Sequence, residues 1–363
     1  MPMPTSRAMP RRTVLSGLTV CSREERRGGA RGRSRGARAS RVGASARGIR
    51  ARGGDRGGGE PRELRSSLRR AARYRRRAAS HRERERGGRR GASPLEDQEV
   101  DEMCHPEVPA GTPLPNVRTE EVAIELAGGE GMSALIAWPE RTPAPAVLVI
   151  NDVFGRSDFY EHLARRLAQA GFVACDPEFF FRQGALPEPT REAAMARRQK
   201  LDEKQALRDL NTAIDSLRRR PQVDGRIGTI GFCMGGTFVL NLAAERADLA
   251  ASVSYYGFPA SSTSAPNDRP APLEVADRMK GPLLGHWGDQ DTGVGMENVE
   301  KLHARLEETG FYHDIRIYPG LGHGFLKAFL EDERSAGYEQ ACASWTRTIA
   351  FYREAFGKVP AAV

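Results

Sequence analysis

Residues 103–363 of this 363-residue sequence predict an α/β domain, a mainly parallel central sheet with helices on both faces, and three observations carry that expectation. Residues 146–150 are Ala-Val-Leu-Val-Ile, an unbroken apolar run of strand length, as suits a strand covered on both sides. Short runs of this kind alternate with segments of helical spacing to the end of the chain. Two segments with period-two alternation precede them, which makes the sheet mixed rather than purely parallel.

Taken in order, 121–126 alternates, Gly128, Gly129 and Gly131 turn the chain, and 133–138 returns, so the pair reads as a hairpin. After the buried strand 146–150, residues 159–170 have helical spacing and stop at Gly171, a suitable C-cap. Strand 172–175 follows, then one long polar helix over 191–219. Strand 227–231, helix 235–246 and strand 251–255 come next. Strand 282–286, helix 297–308, strand 314–318 and a closing helix over 335–356 complete one domain.

The first 102 residues are of another kind. The formal net charge of +9 conceals a split: residues 1–102 hold 28 Arg, no Lys and 12 acidic residues, a net of +16, whereas residues 103–363 carry a net of −7. The Arg/Gly/Ala-rich segment has too few large apolar side chains to offset its chain entropy and is expected to be disordered. A phosphate-neutralising tail is one reading of it. Its Arg-Gly-Gly steps at 27–29 and 52–54 are sparse, however, and lack interleaved Phe or Tyr. The reading preferred here is translation upstream of the natural start, with Met103 as that start, because ordinary composition resumes there. Nucleic acid is therefore not the expected partner.

The five cysteines form no Cys-x-x-Cys pair, which points to a reducing compartment, and a cytoplasmic location is expected. No apolar run is long enough to span a membrane. Arg11-Arg12 and the apolar residues after it resemble a twin-arginine export signal only faintly, since charge returns at Arg23.

The chemistry concentrates at residues 230–236, Ile-Gly-Phe-Cys-Met-Gly-Gly, where a strand passes through a tight turn into a helix. This is the pattern of a nucleophile elbow, Gly-x-Ser-x-Gly with sulfur in place of oxygen. The strained central residue requires small neighbours two positions away, which Gly231 and Gly235 supply. The helix beginning beneath Cys233 favours both a thiolate and an oxyanion. Two more loops follow strand ends, in the order nucleophile, acid, histidine. One carries Asp289 and Asp291, and either could be the acid, with Asp291 preferred and Asp289 read as a turn-former bonding its own backbone. The other carries His323 between two glycines. No metal or other cofactor is implied: His162, His286, His303 and His313 show no ligand-type spacing and read as surface or helix residues.

With these residues in view, the domain resembles the dienelactone hydrolase family of α/β-hydrolases over essentially all of 103–363. The resemblance implies a Cys-His-Asp triad of Cys233, His323 and Asp291 that cleaves a lactone or ester through a thioester. The family also has a carboxylate–apolar–Phe–Gly motif, matched by Asp152, Val153, Phe154 and Gly155. It implies an oxyanion hole from the N–H groups of Val153 and Met234, each donor worth about 3–4 kcal/mol. It further implies that Asp152, where the archetype has Glu, takes part in activating the thiol, whereas a loop acid capping the next helix is the plainer reading of that residue. Two arginines of the archetype grip a substrate carboxylate; Arg191 matches one, and Lys327 stands at the other without the bidentate fork. Met195 replaces a tyrosine of the archetype. The expected partner is a small ester or lactone. A broad carboxylesterase or thioesterase on the same fold, a nucleic-acid-binding protein acting through the tail and a non-catalytic ligand receptor are the rivals. Residues 179–189 are a candidate cover over the site.

Overall fold

The computed structural model describes residues 112, 114–260, 269–331 and 333–358. The expectations of disorder over 1–102 and of a start at Met103 lie outside these residues.

Eight strands form one sheet in the order β1-β2-β4-β3-β5-β6-β7-β8. The expected hairpin is β1 (Arg118–Glu125) with β2 (Gly131–Trp138), paired antiparallel in full register. β2 is also antiparallel to β4 (Val173–Pro177), and every later pairing is parallel. β3 (Ala144–Ile150) lies in the middle with five of its residues wholly buried, which explains its lack of alternation. The remaining strands are β5 (Val223–Phe232), β6 (Ala251–Tyr255), β7 (Leu283–Gly288) and β8 (His313–Tyr318).

Helices cover both faces, as β5 itself demonstrates. A Cβ at Gly228 would meet Tyr352 and Phe356 of the last helix, α6 (Tyr338–Lys358). A Cβ at Gly231 would meet Gly235 and Val239 of α4 (Met234–Glu245). Positions three apart on a strand point to opposite faces, so α4 and α6 sandwich the sheet. α1 (Asp158–Gln169) packs against β2, β3 and β4. α5 (Met296–Thr309) connects β7 to β8.

The single helix expected over 191–219 is instead two, α2 (Arg191–Arg198) and α3 (Glu203–Arg218). Leu201 turns into the core, and Asp202 starts α3 afresh by accepting the Gln205 N–H at 2.8 Å. The proposed cover is also corrected at its root. Phe179 and Phe180 are buried, and Phe179 packs edge-on against Phe238 of α4, so these residues are core.

The chain runs from β3 outward to β4, then back across to β5 on the other side. Connections after β3 and β5 therefore diverge and leave a crevice beyond the carboxyl ends of the strands, where ligands bind in such sheets. Asp152, Val153 and Cys233 all follow these two strands.

Candidate active site

Between β5 and α4, Cys233 has φ 55° and ψ −119°, a left-sided backbone that costs about 1–3 kcal/mol for a non-glycine residue. The turn is held by its own hydrogen bonds. The Cys233 N–H donates to the Tyr255 carbonyl at 3.1 Å, and the Thr237 N–H donates to the Cys233 carbonyl at 3.0 Å. Both flanking glycines are obligatory on steric grounds. A Cβ at Gly231 would lie 2.2 Å from the Gly235 carbonyl oxygen, and one at Gly235 would lie 2.1 Å from that of Ile150. The side chain of Cys233 sits at the amino end of α4, only 3% exposed.

His323 and Asp291 come together as expected, with His323 Nδ1 2.6 Å from Asp291 Oδ2. A carboxylate can only accept, so Nδ1 carries the proton and Nε2 is left for the sulfur. Asp291 is buried, and its other oxygen accepts the Val294 N–H at 3.0 Å. Burial alone would lower the imidazole pKa. The charge of Cys233 and the hydrogen bonds to Asp291 and Cys233 outweigh it and raise His323 to about 10. The ring lies between Tyr256 and Phe258, at centroid distances of 4.9 and 5.4 Å.

Asp289 does not compete for the imidazole. Its Oδ1 accepts the Gly320 N–H at 2.7 Å, across to the histidine loop rather than within its own turn. The N–H groups of Asp289 and Gln290 donate to the carbonyls of Tyr318 and Leu321, at 3.1 and 3.0 Å. Acid loop and histidine loop are thus stitched together, which fixes the reach of His323.

Asp152 is fully buried, and its Oδ1 accepts the Phe154 N–H at 2.8 Å. It does not cap α1, whose N-cap is Ser157. Burial first, then the nearby Cys233 charge, raise its pKa well above the carboxylate range, against opposing contributions from Phe154, Tyr160 and His323.

Cys233, Met234 and Val153 line one cavity of about 210 Å³ together with Arg191, Met195, Arg198, Thr237, Phe258, Arg269 and Gly293. The two residues expected to supply oxyanion donors therefore line the same cavity as Cys233.

Comparison with known proteins identifies the family. Residues 132–356 match the model of the dienelactone hydrolase family. A carboxymethylenebutenolidase of Rhodococcus opacus is 32% identical over 255 residues, covering 69% of this chain and 96% of that protein. The chain belongs to the dienelactone hydrolase family. It is thus a hydrolase of ester or lactone bonds. An Escherichia coli K12 relative provisionally named carboxymethylenebutenolidase is 30% identical over 265 residues, covering 69% of this chain and 95% of its own. A crystal structure of a Klebsiella pneumoniae protein, provisionally assigned as a dienelactone hydrolase, superposes with a TM-score of 0.59 at 29% identity, covering 66% of this chain and 99% of that one.

Of the predicted substrate-binding pair in this dienelactone hydrolase homologue, Arg191 lines the cavity, and Lys327 lies on a 3-10 turn over Phe325–Leu330. Two arginines that the sequence reading passed over also line the cavity. Arg269 is buried and bonds Glu203 at 2.7 Å; Arg198 lies 3.4 Å from the same carboxylate. Nothing in their spacing announces this, because Glu203 starts a separate helix and Arg269 lies 66 positions further on.

Of the other histidines, His162 and His303 lie on helices as expected, whereas His286 and His313 are strand residues and correct the expectation of a surface or helix position. His286 is a buried strand residue held by Tyr318 and Thr348, and burial lowers its pKa to about 3. His162 is buried on α1 and accepts from Arg166 at 2.8 Å; burial first, then the arginines, lower its pKa to about 4. His303 and His313, far apart in sequence spacing, meet at Glu307.

Proposed function

We propose that the chain hydrolyses a small, carboxylate-bearing ester or lactone through a Cys233–His323–Asp291 triad and a thioester intermediate. The observation that carries this reading is the 2.6 Å Asp291–His323 contact, with the same imidazole interacting electrostatically with a cysteine on a strained strand-to-helix elbow. His323 Nε2 takes the thiol proton of Cys233 as the sulfur attacks the carbonyl carbon, and the developing oxyanion accepts hydrogen bonds from the Met234 and Val153 N–H groups. His323 protonates the leaving oxygen as the carbon–oxygen bond breaks. It then takes a proton from water, which attacks the thioester and returns the thiol. In a lactone the leaving oxygen stays attached, and a hydroxy acid is released.

Three arginines against one glutamate give the cavity a positive field. Arg198 and Arg269 are engaged with Glu203, whereas no ion pair to Arg191 is found among the described residues and its Nε is buried without a partner. Arg191 is therefore the group assigned to the substrate carboxylate. A cavity near 210 Å³ suits a compact acyl group rather than a long chain. Asp152, close enough to Cys233 for their charges to interact, is assigned to proton exchange with the thiol. The described cysteines, Cys175, Cys233 and Cys342, are all buried. Among the described residues no helix is long and apolar enough to cross a membrane.

The test compares wild type with Cys233→Ala and Arg191→Ala on carboxymethylenebutenolide, its methyl ester and a nitrophenyl ester. Cys233→Ala is expected to abolish turnover of all three. Arg191→Ala should raise KM for the free acid alone. Undiminished turnover in Cys233→Ala would overturn the mechanism, and a preference for the nitrophenyl ester would favour a broad carboxylesterase.

A further inference from the structure

Three side chains of ligand type converge at the amino end of β8, the end opposite to the loops that carry His323 and Asp291. His303 and Glu307 lie one turn apart on α5, and His313 opens β8. One ligand atom from each lies within 4.8 Å of the other two. His303 Nε2 and His313 Nε2 are each 3.3 Å from Glu307 Oε1.

The placement of His313 gives this grouping its meaning. Its side chain is 7% exposed, and Nδ1 lies 2.8 Å from the Phe311 carbonyl oxygen, which can only accept. Nδ1 therefore carries a proton, and in the neutral ring Nε2 turns a lone pair towards Glu307. That nitrogen is buried and makes no hydrogen bond. In the neutral ring that nitrogen and the Glu307 oxygen, 3.3 Å apart, repel one another unless a proton or a metal cation lies between them. The backbone-anchored imidazole is also the usual form of a metal-bound histidine, with tautomer and ring orientation fixed from behind.

Dimensions and donor chemistry agree. A tetrahedral ion with bonds of about 2.0–2.1 Å keeps its ligand atoms about 3.3–3.4 Å apart, and two of the three separations already have this length. Two imidazoles with one carboxylate suit a borderline ion of the zinc type, whereas calcium and magnesium favour oxygen throughout. Both α5 ligands are open to solvent, His303 being 50% exposed, so water completes the fourth position.

We propose that His303, Glu307 and His313 bind a divalent transition-metal ion of the zinc type, clipping the end of α5 to the start of β8. The site lies apart from the residues assigned to catalysis and does not depend on their roles.

The experiment titrates Co2+ into the full chain carrying Cys233→Ser, which removes thiolate binding at the elbow. It repeats the titration after adding His303→Ala or Glu307→Gln. The expected result is one equivalent with cobalt ligand-field bands and no thiolate charge-transfer band. Each added substitution should weaken that equivalent by more than about 100-fold. Zinc should raise the Tm of Cys233→Ser and leave that of the His303→Ala double variant unchanged. His303 is half exposed on a helix, so its loss does not threaten folding. Identical cobalt stoichiometry and spectra in all three proteins would overturn the proposal. So would no binding in Cys233→Ser, which would make His313 an imidazolium paired with Glu307.

Discussion

Asp291 and Asp289 are two positions apart, yet one faces the imidazole and the other a backbone N–H. Asp291→Asn should put its amide nitrogen towards His323, because the Val294 N–H holds the amide oxygen on the other side. That forces the wrong tautomer, and kcat should fall on the order of 100- to 10,000-fold. Asp289→Asn keeps an acceptor for Gly320 and should stay within a few-fold of wild type; steady-state kinetics of the two variants separates the roles. Asp152 titrates in the opposite sense to a paired carboxylate. Its pKa is raised in the fold, so the unfolded chain ionises first and stability falls as pH rises above about 4. Asp152→Asn does not titrate, and its stability relative to wild type should climb with pH, by at most about 1.4 kcal/mol per unit. Urea unfolding at pH 5, 6 and 7 checks this; a constant difference would mean that Asp152 is ionised in the fold. The residues legible from sequence are those whose neighbours betray them, as Gly231 and Gly235 betray Cys233. Arg198 and Arg269 have no such signature, because only the tertiary path of the chain brings them to one carboxylate.

Elements were legible where pattern and burial agree. The continuous apolar runs became buried parallel strands, and the alternating pair became the hairpin. The long polar segment over 191–219 misled because helical periodicity persists on both sides of a short break. The break rests on Leu201 and Asp202, one apolar and one capping residue, and neither interrupts a periodic pattern. Asp202→Ala should cost about 1 kcal/mol in urea unfolding, and it should raise KM for anionic substrates by loosening the helix start that carries Glu203. At the elbow the constraint is steric rather than polar. Gly235→Ala would drive a methyl group against the Ile150 carbonyl, so α4 must back away from β3. A loss on the order of 3 kcal/mol together with loss of turnover is expected, measured on the same preparation by urea melt and ester assay.

Across the whole molecule, the order of loops around the sheet was legible because nucleophile, acid and histidine follow successive strand ends. The histidines of the interior were not, since burial leaves no mark on a single polar residue. Their low pKa values set an acid limit on the fold. His286 and His162 titrate near 3 and 4 when folded but near 6.5 when unfolded. The unfolded chain therefore takes up protons first, and stability is lost as pH falls below about 6.5. His286→Gln should flatten the fall between pH 6.5 and 4 relative to wild type, as read from Tm against pH; parallel curves would mean that His286 contributes nothing to acid sensitivity. The sheet ends on β1 and β8, and both rims are charged. Arg118, Glu120, Glu121 and Glu125 are exposed along β1, while Asp314 and Arg316 interrupt the apolar residues of β8. Such rims repel the approach of another strand. Crowding many copies together should therefore leave them dispersed, and neutralising one rim would be the shortest route from enzyme to fibril.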